Sequence, residues 1–187
     1  MTPDAKMTRR ELLTNVGMSL IGFTISSAFG DITPAEAREK GVPLHNLSAS
    51  EGRLLEAFGD VLLPGAAEAG IAHYVDDQLG RSEPLLFLKY MDYVGSYVDF
   101  YKQGLSSLEQ LSRGRQNRSF LELTPDQSWI LVREISQKNP EGWSGPPAPL
   151  FYFVVRNDAV DVYYGTPEGF AKLGIPYMPM LEPPDNR

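Results

Sequence analysis

The chain has 187 residues, enough for one domain with its own core. Its 17 basic and 24 acidic side chains leave a net charge of −7, which argues against nucleic acid as a partner, because binding it needs a basic stripe to displace counterions. Cysteine is absent, so this chain offers no disulfide, thiolate zinc site, iron–sulfur cluster or covalently attached haem, and the two histidines, His45 and His73, exclude a histidine-rich metal site.

The N-terminal stretch reads as an address. Thr8-Arg9-Arg10-Glu11-Leu12-Leu13 resembles the twin-arginine export signal, with Arg9, Arg10, Leu12 and Leu13 at the signature positions. The apolar run from Val16 to Phe29 is diluted by Gly17, Ser19, Gly22, Thr24, Ser26 and Ser27. It falls short of the roughly 20 strongly apolar residues of a membrane span. A basic region, a short apolar region and small residues at Ser26 and Ala28 follow the order of a cleavable signal. The competing reading is an amphipathic helix that starts after a threonine cap. On the export reading, residues 1–28 are a signal for a route that carries folded proteins to the periplasm.

Residues 29–46 read as an extended linker, with Pro34 and Pro43 and no sustained apolar period. A single helical domain is expected over 47–187. Ser48 and Glu51 have the spacing of a capping box, and Leu54, Leu55, Phe58, Val61 and Leu62 recur at helical steps until Pro64-Gly65. Glu68 to Gly80, with Ile71, Val75 and Leu79, predicts a shorter helix. From Pro84 one long periodic segment is expected, through Leu85, Leu88, Met91, Val94, Val98 and Tyr101 to Leu111, with Tyr90, Tyr93 and Tyr97 widening its face. Arg113 to Arg118 reads as a basic loop. Thr124-Pro125-Asp126-Gln127 starts another helix, whose apolar positions are Trp129, Ile130, Val132 and Ile135.

Gly142 to Pro149 is an uncharged loop around Trp143. Leu150 to Tyr164 suits strand or helix, and helix is the reading adopted because the chain shows no second strand to pair with it. Gly165 to Pro184 is too rich in glycine and proline for a long helix. The expected fold class is therefore all-α: a small bundle of about four or five helices with an irregular, proline- and aromatic-rich C-terminal tail.

No phosphate-binding glycine loop, nucleophile elbow or paired-carboxylate site stands out. Asp76-Asp77 are adjacent and diverge around a helix, which makes a poor metal site. The sequence assigns no catalytic, cofactor-binding or metal-binding residue.

Two blocks carry a family resemblance. Leu47 to Glu51, Leu54 to Pro64 and Ala69 to Asp76 form the first, and Phe151 through Thr166-Pro167 to Leu173-Gly174-Ile175-Pro176 the second. Together they resemble the gluconate 2-dehydrogenase subunit 3 family. The resemblance implies a small, non-catalytic subunit that assists folding or flavination and export of a large partner. That partner would be an FAD-containing subunit of the glucose–methanol–choline type. A multihaem cytochrome c subunit is the further expected partner, so FAD and haem c, with an iron–sulfur cluster as another option, belong to partner chains. The twin-arginine translocase would be a partner during export. The expected docking residues are Trp143, Tyr163, Tyr164, Phe170 and Tyr177, whose rings offer contact area with little side-chain entropy to lose. A free-standing enzyme and an exported helical binding protein with no redox partner are the competing functional readings.

Overall fold

Where several of the helices begin is set by side chains that accept the otherwise unpaired first amides. The computed structural model describes residues 24–28 and 30–174. Thr33, Ser48 and Thr124 form capping boxes with Glu36, Glu51 and Gln127, and these start α1 (Pro34–Glu39), α2 (Ala49–Leu62) and α6 (Pro125–Gln137). Between α2 and α6 come α3 (Ile71–Leu79), α4 (Phe87–Tyr90) and α5 (Tyr97–Gln116), followed by a 3-10 turn at Phe120–Glu122. Among the described residues the last two helices are α7 (Ala148–Tyr164) and α8 (Pro167–Lys172). Among the described residues the chain is an all-α bundle with one two-stranded antiparallel hairpin, β1 (Ile25–Ser27) and β2 (Gly30–Ile32), ahead of its helices.

The core is built around α7. Phe151, Val154, Val155, Asp158, Ala159 and Val162 are all buried, a stripe wide enough for α7 to pack against α2, α3, α4, α5, α6 and α8. Phe151 stacks on Phe58 of α2 with ring centroids 5.3 Å apart and planes 4° apart. Phe100 of α5 and Trp143 each lie 6.0 Å from the same ring. Segment 150–164 is thus helical, as expected.

Three sequence expectations need correction. The segment read as an extended linker holds β2 and α1. Ile32 and Ala37 are buried there with Ile25 of β1 in a small apolar cluster of their own, and α1 packs on α3. The long periodic segment is broken in two. Asp92 (φ 49°) and Gly95 (φ 158°) turn the chain, Ser96 caps α5 by accepting from Asp99 N–H, and Val94 is 96% exposed. The basic loop is instead the last turn of α5, where Arg113 pairs with Glu109 at 2.7 Å and Asn117 ends the helix in the left-handed region.

Gly70 is the tightest backbone approach between α1 and α3. Its φ is +85°, and a Cβ there would lie 2.2 Å from the carbonyl oxygen of Pro34. Gly70→Ala is expected to cost about 2–4 kcal/mol. It should also expose residues 33–42 to protease, since relief requires α1 to move off α3. A denaturation midpoint within error of the parent would refute this.

Candidate partner-docking site

The export-signal residues Arg9, Arg10, Leu12 and Leu13 and the expected docking residue Tyr177 lie outside the described residues, and four expected docking residues remain. These four fall into two separate places. Trp143 sits where the chain leaves α6. Its ring packs on Phe151 and its Nε1–H donates to the Pro146 carbonyl at 2.6 Å. Asn139 Oδ1 accepts the Ala148 N–H at 2.6 Å, which pins the start of α7. Gly145 lies so close to α5 that a Cβ would stand 2.8 Å from the Gln103 carbonyl. Trp143 is therefore a half-buried anchor for its own loop.

Tyr163, Tyr164 and Phe170 gather at the other end of α7. Phe151, which carries Trp143, and Tyr163 are twelve residues apart on one helix, a rise of about 18 Å. The Tyr163 and Tyr164 rings meet edge to face at 4.8 Å. Lys172 Nζ lies 4.1 Å from the Tyr163 ring centroid, within cation–π range. Thr166 caps α8 by accepting from Gly169 N–H at 3.1 Å. Tyr163, Tyr164, Thr166 and Phe170 are half-buried, and Lys172 is exposed. Beside them opens a cleft of about 300 Å³, where Tyr163, Thr166 and Lys172 face Glu36 of α1 and Glu68. The result is an aromatic corner with both charge signs.

Behind this corner lies a carboxylate that the sequence reading missed. Asp158 is fully buried on the apolar stripe of α7. Oδ1 accepts the Phe87 N–H of α4 at 3.0 Å, and Oδ2 accepts the hydroxyl of Tyr101 on α5. Burial pushes its carboxyl up to about 7, against the opposing effect of those two donors, and nearby Asp161 adds to the rise. Burial with the Asp158 charge also raises the phenols of Tyr74 and Tyr101. The network ties α4, α5 and α7 together. Its signature in the sequence was an aspartate at the apolar spacing of Val154 and Val162.

The Asp76-Asp77 pair divides its work. Asp76 clamps the entry to α2, accepting His45 N–H at 2.8 Å on Oδ2, and Asn46 and Leu47 N–H at 2.8 and 2.7 Å on Oδ1. Asp77 pairs with Arg81 at 2.7 Å. His73 Nε2–H donates to the Val42 carbonyl at 2.9 Å.

No curated protein and no solved structure matches the chain. The family model for gluconate 2-dehydrogenase subunit 3 matches residues 49–183, which takes in every helix from α2 to α8 and the aromatic corner. On that match the chain belongs to the gluconate 2-dehydrogenase subunit 3 family.

Proposed function

We propose that this chain is the non-catalytic small subunit of an FAD-dependent dehydrogenase of a sugar, sugar acid or polyol. It escorts the flavoprotein subunit through folding and through twin-arginine export to the periplasm. The observation that carries the reading is the family match over residues 49–183. Arg9-Arg10 and Leu12-Leu13 ahead of an apolar run support the export part. On this reading FAD resides in a large glucose–methanol–choline type subunit and haem c in a cytochrome subunit, and no residue of this chain holds either group. Tyr163, Tyr164 and Phe170 at the end of α7 form one docking corner, with Tyr177 following and Trp143 holding the opposite end.

The test is purification of the C-terminally tagged chain from its native host. Flavin absorbance with a larger co-purifying chain is expected, and Arg9→Lys with Arg10→Lys should retain both chains in the cytoplasm. A colourless single species in good yield would overturn the reading in favour of an exported binding protein.

A further inference from the structure

The more exposed tryptophan is Trp129, on α6. It is 53% exposed and its neighbour Ile130 60%, whereas Leu131, Val132 and Ile135 of the same helix are buried. Leu121 of the 3-10 turn is 43% exposed. Trp129 and Leu121 border an open groove of about 530 Å³ between α2, the 3-10 turn and the start of α6, with Val61 and Leu123 in its wall. Asp60 and Asp126 also line it, and among the described residues no lysine or arginine does. Asp60 is held at the rim because its Oδ1 accepts the N–H groups of Gly65 and Ala67 at 3.2 and 2.9 Å.

Clustered, solvent-facing aromatic and branched side chains around a concavity mark a protein contact. Charge selects the occupant. Two carboxylates with no compensating cation favour a segment that brings one. They disfavour a second copy of a chain that itself carries a net charge of −7. At the exposed Phe153 a cation is already in place, since Arg156 lies 5.8 Å from its ring centroid.

We propose that this groove docks an apolar segment of the flavoprotein subunit that carries arginine or lysine. The apolar side chains lie against Val61, Leu123 and Trp129, and the cation sits between Asp60 and Asp126 or over the indole face. The inference rests on the proposed function for the existence of that subunit, and it adds a second contact, distinct from the corner at Tyr163.

The test uses the full-length tagged chain in its native host, with a photo-crosslinking phenylalanine analogue at position 121. The expected crosslink is to one peptide of the flavin-bearing chain that has a basic residue among apolar ones. Crosslinks to this chain's own N- or C-terminal segment, to a second copy, or to no protein would overturn the proposal. In parallel, Trp129→Ala and Asp126→Asn should each reduce recovered flavin per tagged chain at least roughly tenfold. Leu121→Ser, at another lining residue of the groove, should lower recovery as well, and Val94→Ser should leave recovery unchanged. Melting curves of the purified variants should match the parent, because the altered side chains face solvent. If the parent recovers no flavoprotein, the proposed function and this inference both fail. If the parent recovers it and the groove variants do so equally well, the groove alone fails.

Discussion

Asp158→Asn is expected to flatten the dependence of stability on pH. In the folded chain the Asp158 carboxyl is pushed up to about 7, well above the value of roughly 3.9 for an unfolded aspartate. The folded state therefore binds the proton more tightly than the unfolded state does. The stability linked to that proton is complete below the unfolded value and is lost as pH rises through about 7. Between about pH 5 and pH 8 the parent should lose on the order of 2–3 kcal/mol through this group. Asparagine imitates the protonated acid: its oxygen can accept Phe87 N–H while its amide donates to the Tyr101 oxygen. The stability gap between variant and parent should widen by that amount over the same range, in favour of the variant. Parallel pH profiles from denaturant titrations would refute the assignment. Asp158→Ala should behave differently, losing about 2–5 kcal/mol at about pH 5 because two buried donors are left without an acceptor.

Gly104→Ala is expected to overpack the helical core. A Cβ at this position of α5 would stand 2.3 Å from two atoms of the Phe151 ring. That ring cannot retreat, being stacked on Phe58 and flanked by Phe100 and Trp143. The gain of about 1 kcal/mol in helix propensity is smaller than the cost of overpacking, so a net loss of about 2–3 kcal/mol is expected. For a chain of this size that lowers the melting temperature by roughly 4–12 °C. Phe151→Leu should cost less in the Gly104→Ala background than in the parent, with a coupling of at least about 1 kcal/mol. Additive effects would show that the contact is not what fixes residue 104 as glycine.

Local signals carried most of the helix starts. Ser48 with Glu51 and Thr124 with Gln127 are capping boxes in sequence and in space, because a cap is satisfied within four residues. Thr33-Pro34-Ala35-Glu36 is the same signal, overlooked because α1 is only six residues long and its apolar contacts come from a separate strand. The break at residues 91–96 was hidden for the opposite reason. Leu88, Met91, Val94, Val98 and Tyr101 recur at steps of three and four across it, while the turn rests on Asp92, Gly95 and the Ser96 cap. Docking residues were the hardest to read, since exposure is decided by distant parts of the chain. Trp143 is half covered by its own loop and Phe151, whereas Trp129, assigned to the core by periodicity, faces solvent. The family resemblance, resting on Leu54 to Pro64 and Phe151 to Pro167, needed none of this packing and agrees with the family match.

The position of α7 in the chain has a consequence for the order of synthesis. The helix around which the core closes begins only at Ala148, so α2, α3 and α5 leave the ribosome before the partner that covers them exists. At about 5–20 residues per second, the interval from the end of α2 to residue 162 lasts roughly 5–20 s. Leu55, Phe58, Ile71 and Leu105, fully buried in the finished chain, must wait through it as nascent, uncovered surface. Closure of this core is therefore a late event of translation, and any factor that guards the chain against aggregation has to act before residue 162 emerges.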